Sequence, residues 1–375
     1  SGYVLEPDGA GGWSESKLTA SDGASGDRFG ASVAVSGDRV VVGAPFDDDL
    51  GSESGSGYVF EPDGAGGWSE SKVTASDGAA NDFFGDAVAA SGDRVVVSAQ
   101  LDDDLGSDSG SVYVFEPDGA GGWSETKLTA SDGAANDQFG ASVAVSGDRV
   151  VVGAPFDDDL GFSSGSGYVL EPDGAGGWSE SKLTASDGAT LDFFGYSVAV
   201  SGDRVVVGAV ADDDLGSDAG SAYVFEPDGA GGWSGTKVTA SDGAALDFFG
   251  FSVAVSGDRV VMGARGDDDL VSNSGSAYVF GLTPVDADGD GVADASDVCA
   301  GTDLTEPAPA ELKKNRYWTA ADGGFIDATG KLSPYTIADT AGCSASQVIQ
   351  AAGLGSGHLR FGITASALAA WVDAH

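Results

Sequence analysis

Aromatic residues recurring at one fixed interval, four strand-like segments within each interval and an absence of helix signals there predict an all-β fold. Tyr3, Tyr58, Tyr113, Tyr168, Tyr223 and Tyr278 stand 55 residues apart, and so do Trp13, Trp68, Trp123, Trp178 and Trp233. A fixed period of this size marks supersecondary units that bury their faces against one another. Four short antiparallel strands per unit, repeated around a circle, give a five-bladed β-propeller of four-stranded antiparallel blades, followed by a small α+β C-terminal module. A solenoid repeat this long usually carries a helix, and a sandwich needs more strands than one unit provides.

Each unit reads as strands A to D. Segment A is the alternating stretch Ala31 to Ser36. Segment B, Arg39 to Ala44, is a continuous β-branched run suited to a strand buried on both faces. Ser36, Gly37 and Asp38 between them signal a hairpin turn. Segment C, Ser56 to Glu61, follows an acidic loop. Segment D, Trp68 to Ser76, is joined to C by a Pro-Asp-Gly turn.

The chain has 375 residues, with 60 acidic side chains against 17 basic ones and a net charge of −43. Such a surface repels nucleic-acid phosphates and anionic membranes and attracts cations. Neither nucleic acid nor membrane insertion is expected, and no apolar run reaches the length of a span. The opening residues SGYVLEPDG are not a signal peptide, so a secreted chain would already have lost one.

The unit resembles the FG-GAP repeat of integrin α-type β-propellers in its bacterial secreted form. Phe-Gly occurs at Phe29-Gly30, Phe84-Gly85, Phe139-Gly140, Phe194-Gly195 and Phe249-Gly250; Gly-Ala-Pro occurs at Gly43-Ala44-Pro45 and Gly153-Ala154-Pro155. Three units depart from the second motif, at Ser98-Ala99-Gln100, Gly208-Ala209-Val210 and Gly263-Ala264-Arg265. The resemblance covers residues 1 to about 281 and implies an extracellular or cell-surface propeller used for adhesion or assembly.

Two sets of carboxylates are candidates for Ca2+. Asp286, Asp288, Asp290, Asp294 and Asp297 fall at positions 1, 3, 5, 9 and 12 of a loop, with Gly291 at position 6 and the Val292 carbonyl at position 7. That spacing lets a looped backbone bring six or more hard oxygens to one centre. The loop resembles those of thrombospondin type 3 and dockerin-like repeats. The second set lies in the B–C loops, at Asp47 and Asp49, Asp102 and Asp104, Asp157 and Asp159, Asp212 and Asp214, and Asp267 and Asp269. The resemblance implies calcium there. Because three aspartates are contiguous in each loop, an Asx-turn role is the competing reading.

Enzyme chemistry has no foothold: His358 and His375 lie outside the repeats, and no phosphate loop, zinc spacing or nucleophile elbow occurs. Residues 282–300 read as a calcium-binding linker and 301–375 as a separate module with two short strands and two helices. Cys299 and Cys343 are expected to form a disulfide in an oxidising setting.

Segment C occurs six times, whereas A, B and D occur five times. Closing the ring between the chain's terminal strands therefore leaves one C copy over, either Tyr3-Val4-Leu5 or Tyr278-Val279-Phe280. A spare apolar strand is either a template for pairing with another chain or a frayed remnant of a longer array. The expected function is a secreted or surface structural and adhesive protein that polymerises through this strand. The alternative is a monomeric lectin-like or receptor-like module whose partner is an extracellular glycan or protein.

Overall fold

The computed structural model describes residues 1–9, 11–269 and 271–282 and, beyond them, 308–309, 311–314, 316–320, 324–336, 340, 343–354, 358 and 362–372. The chain divides into two compact units, Ser1–Gly281 and Leu282–His375.

The first unit is the β-propeller array. Its leading hairpin is β1 (Gly2–Pro7) and β2 (Trp13–Leu18). The first full blade runs β3 (Val33–Ser36), β4 (Arg39–Ala44), β5 (Ser56–Pro62) and β6 (Trp68–Val73), in that spatial order. The second is β7 (Val88–Ser91), β8 (Arg94–Ala99), β9 (Ser111–Pro117) and β10 (Trp123–Leu128). The third is β11 (Ser142–Ser146), β12 (Arg149–Ala154), β13 (Ser166–Pro172) and β14 (Trp178–Leu183). The fourth is β15 (Phe194–Ser201), β16 (Arg204–Ala209), β17 (Ser221–Pro227) and β18 (Trp233–Val238). The last sheet has three strands, β19 (Phe249–Ser256), β20 (Arg259–Ala264) and β21 (Ser276–Gly281). All pairings within these sheets are antiparallel, as expected.

The inner strands are buried on both faces because alternate residues serve opposite neighbours. Val41, Val59 and Val73 of the first blade pack with Val95, Val97, Tyr113 and Phe115 of the second. Val96, Val114 and Leu128 face the other way, onto Val150, Val152 and Tyr168 of the third. Each such buried side chain contributes roughly 1.5–3 kcal/mol. Arginine staples the seams: Arg39 donates to Glu61 of its own blade and, through Nη1, to the Gly92 carbonyl of the next at 2.6 Å.

The two motif glycines meet across that seam. A Cβ on Gly43 would lie 1.9 Å from the Gly85 carbonyl oxygen, so the Gly of one unit's Gly-Ala-Pro accommodates the Gly of the next unit's Phe-Gly. Gly85 also holds φ +96°, a conformation that an L side chain rarely adopts.

Ring closure is where expectation and structure part. β2 pairs with β1, with Tyr3 opposite Lys17, and β21 pairs with β20, with Tyr278 opposite Met262. Neither C strand is left over without a partner; each takes its sequence neighbour. Short-range pairing has the smaller loop-closure cost, whereas joining β2 to β21 spans the whole array. The result is a β21 edge with no D strand among the described residues.

In the second unit, β22 (Arg316–Thr319), β23 (Gly324–Ile326), β24 (Leu332–Thr336) and β25 (Ile363–Thr364) form one sheet in the order β24-β23-β22-β25. Ser344 caps α1 (Ala345–Ala351) in a capping box with Gln347. Val348 and Ile349 of that helix join Phe325, Ile363 and Leu368 of α2 (Ala365–Val372) in a common core. The strands exceed the two read from sequence, while both helices lie where expected.

Candidate functional site

The recurring polar feature of the array is built at the B–C loop. In the first blade the tight turn after β4 lets Asp47 Oδ1 accept from the Asp49 N–H at 3.1 Å, while Asp48 Oδ1 accepts from the Glu53 N–H at 2.7 Å. The middle aspartate is thus committed to the loop backbone as an Asx cap. Asp47 and Asp49 turn to the same side and are joined by Asp22, from the connection between β2 and β3. Ligand oxygens of these three carboxylates lie within 4.8 Å of one another. The same trio forms at Asp77, Asp102 and Asp104, at Asp132, Asp157 and Asp159, and at Asp187, Asp212 and Asp214.

Three convergent carboxylates can hold a metal such as Ca2+, and here they hold an ammonium. Lys72 of β6 places Nζ 2.7 Å from Asp22, 3.1 Å from Asp47 and 2.5 Å from Asp49. Lys127, Lys182 and Lys237 repeat the arrangement in the next three blades. The buried Tyr58 hydroxyl completes the cluster, 2.8 Å from Asp22 Oδ1 and 3.0 Å from Asp47 Oδ2. The contiguous aspartates therefore supply two of three ligating carboxylates per site rather than a self-contained set. With the lysine in place, a divalent ion would have to displace a bound cation, so these four sites do not fit calcium as they stand.

The electrostatics agree. Burial alone would weaken the Lys72 ammonium, but hydrogen bonds to Asp22, Asp49, Tyr58 and Asp47 outweigh it and hold its pKa well above the usual lysine range. The Lys72 hydrogen bond likewise holds Asp22 below the usual carboxylate range. Burial, with the Asp102 charge beside it, pushes the Tyr113 phenol far up. A second aspartate per unit behaves oppositely. Asp82, Asp137 and Asp192 accept a backbone N–H three residues upstream, yet burial and the neighbouring loop carboxylates push each up to about 6.

The last repeat is the exception. Asp267 is buried, and Tyr278 Oη lies 2.7 Å from its carboxylate and 2.9 Å from Asp242. Among the described residues no ammonium reaches Asp242, Asp267 or Asp269. The unneutralised charges of Asp267 and Asp242 raise the Asp269 pKa. Asp286, Asp288, Asp290, Val292, Asp294, Asp297 and Cys299 lie outside the described residues. Cys343 is fully buried, and no described cysteine is a free thiol.

Several aromatic side chains that flank the Phe-Gly pairs and the aspartate loops meet across the seams between blades. Phe46 meets Phe83 at 4.9 Å between ring centroids, Phe156 meets Phe193 at 5.5 Å, and Tyr196 meets Phe251 at 5.2 Å. These contacts are ordinary packing between blades, although Tyr196 remains 38 % exposed; Phe162, at 65 %, is more exposed still.

The FG-GAP repeat family matches residues 13–60, 68–115, 123–170, 178–225 and 233–280, more than half of the sequence. The chain belongs to the FG-GAP repeat family. Each FG-GAP match starts at a D strand and ends at a C strand, so one family unit straddles two blades. The lysine of each unit consequently closes the carboxylate trio of the unit before it. No curated protein matches the chain. Among the described residues no helix is long and apolar enough to cross a membrane.

Proposed function

We propose that the chain is a secreted or cell-surface structural and adhesive β-propeller that self-assembles into an extracellular polymer. FG-GAP repeats are typical of extracellular or surface binding and adhesion modules and are typically non-enzymatic. Self-assembly is supported by a pair of uncovered apolar ends. Val261 and Val279 on the last sheet are 37 % and 65 % exposed, whereas their counterparts Val206 and Val224 are 0 % and 4 % exposed between blades. At the other end Tyr3 and Leu5 are each 58 % exposed, and Val33 and Val35 still more. Exposed apolar faces of this kind mark contact surfaces. Of the residues expected to mediate assembly, Val4 packs onto the first blade and Tyr278 and Phe280 pack against Phe249, which leaves Tyr3, Leu5 and Val279 outward.

Calcium in the Asp286 to Asp297 loop and a Cys299–Cys343 bridge belong to the same reading, as ties for the C-terminal module in an extracellular setting. Non-reducing peptide mapping should recover the linked cysteines. Sedimentation velocity over a wide concentration range tests assembly: the chain should form end-to-end polymers, and Val279→Asp should keep the fold while suppressing them. A monomer at every concentration contradicts the reading and favours the lectin-like or receptor-like module, for which exposed Phe162 is a starting contact.

A further inference from the structure

The two ends of the array carry complementary unfilled positions. Lys17 on β2 is the counterpart of Lys72, Lys127, Lys182 and Lys237. It is exposed, and its only described cation contact is the Tyr3 ring, 5.9 Å away. Asp242, Asp267 and Asp269 are the repeat counterparts of the four occupied trios; among the described residues they hold no ammonium, and without one their carboxylates do not draw together to within 4.8 Å as the other four sets do. Applying the repeat's own interval, the lysine those aspartates await is the one Lys17 represents.

A second pair of positions matches independently. Between interior blades the Phe84-Gly85 backbone seats against Gly43, Ala44, Gly55 and Ser56. Their counterparts Gly263, Ala264, Gly275 and Ser276 line an open concavity of about 450 Å³ on the last sheet. Phe29-Gly30 is the phenylalanine-glycine pair that would fit it. At present Ser1 takes that role: its amino group donates to the Phe29 carbonyl at 3.0 Å, and its own carbonyl lies 3.0 Å from where a Gly30 Cβ would be. Ser1 stands to Gly30 as Ser56 stands to Gly85, so β1 occupies the seat of a preceding unit's C strand.

Resting on the self-assembly reading, we propose that β1 is a placeholder, displaced when β21 of a second copy pairs with β2, and that Lys17 entering that copy's Asp242, Asp267 and Asp269 trio fixes the register. β2 offers the same hydrogen-bonding edge to either partner, since Tyr3 now faces Lys17 as Tyr58 faces Lys72. The exchange therefore keeps the backbone bonds of β2, supplies a partner to the β21 edge that has none among the described residues, covers Val261 and Val279, and neutralises three carboxylates. Strand addition joins subunits in this way, and a head-to-tail contact that does not close gives a filament. The spare-strand expectation is thereby reversed: residues 1–7 restrain assembly rather than drive it.

Light scattering on the full chain, on a variant lacking residues 1–7 and on Lys17→Glu, Lys17→Arg and Asp269→Lys variants tests this. Deleting residues 1–7 should speed polymer growth about tenfold or more, Lys17→Glu should slow it by a similar factor, and Lys17→Arg should restore it. Asp269→Lys should slow growth by filling the trio from within. Lys17 and Asp269 are both exposed, so the substituted monomers should melt like the parent. Zero-length carbodiimide cross-linking of a mixture of isotopically light and heavy chains should join Lys17 to the trio in mixed-isotope peptides. Normal polymers from Lys17→Glu, or faster growth absent on deleting residues 1–7, overturn the register contact while leaving self-assembly standing. Cross-links confined to single chains overturn it in favour of closure within one molecule. Failure of the full chain and of the deletion variant to polymerise removes both readings.

Discussion

The ammonium of Lys127 lies 2.9 Å from the buried carboxylate of Asp102, in the position where three converging aspartates would otherwise hold a metal ion. The lysine belongs to one FG-GAP unit and the carboxylates to the unit before it, so the ion pair is also a seam between repeats. A chain of net charge −43 thus carries an internal cation at four of its most acidic points.

Replacing Lys127 by Met should destabilise the array by about 2 kcal/mol. Removing one partner of a buried ion pair leaves the other uncompensated, and the exposed Asp77 and Asp104 moderate the loss through solvent screening. The same substitution should create calcium affinity that the parent lacks at that site. Thermal melts with and without calcium check both effects: the ion should raise the melting temperature of Lys127→Met and leave the parent's blade unfolding unchanged.

Stability should also depend on pH through two aspartate sets of opposite sign. Asp82, Asp137 and Asp192 have folded values near 6, above the ordinary 3.8. Their contribution is full below the ordinary value and is lost as pH rises through about 6. Asp22, Asp77, Asp132 and Asp187 are held below 3.8, so theirs is present above that value and lost as pH falls through the lowered one. The melting temperature should therefore peak at mildly acidic pH. An Asp82→Asn, Asp137→Asn, Asp192→Asn variant should melt a few degrees higher than the parent at pH 8 and no higher at pH 4. Equal shifts at both would separate the effect from titration.

Gly43→Ala should be far more damaging than Gly64→Ala. The new methyl at Gly43 would lie 1.9 Å from the Gly85 carbonyl, with backbone on the other side of the contact, whereas nothing stands within 4 Å of one at Gly64. Denaturant unfolding should show a loss of several kcal/mol for Gly43→Ala. Gly64→Ala should cost only about 1–2 kcal/mol, for its φ of +72°.

The strands were legible because their signal is local. Segment B was read at its observed bounds, Arg39–Ala44, and segment C to within a residue, Ser56–Pro62. Segment A begins two residues later than read, at Val33, since the turn after Phe29-Gly30 takes Ala31 and Ser32. The site was half legible. Asp47 and Asp49 stand out in the loop and Asp22 in the carboxylate pair Asp22 and Asp27 that recurs before each Phe-Gly, but Lys72 lies 23 residues after Asp49 and in the next family unit. One signal could have found it: with only 17 basic residues in the chain, a lysine that returns at Lys17, Lys72, Lys127, Lys182 and Lys237 is conspicuous. Pairing of β1 with β2 was not legible, because β1 and β21 share the same strand pattern and only chain proximity separates them.

Lysine fills the cation seat of the repeat at four sites. A crystal structure determined in calcium, with anomalous diffraction measured to locate the ion, tests it most directly. No anomalous peak should appear at the Asp22, Asp77, Asp132 and Asp187 trios, and lysine Nζ density should lie within hydrogen-bonding distance of each. Calcium peaks at those trios, with Lys72, Lys127, Lys182 and Lys237 swung out into solvent, would contradict it.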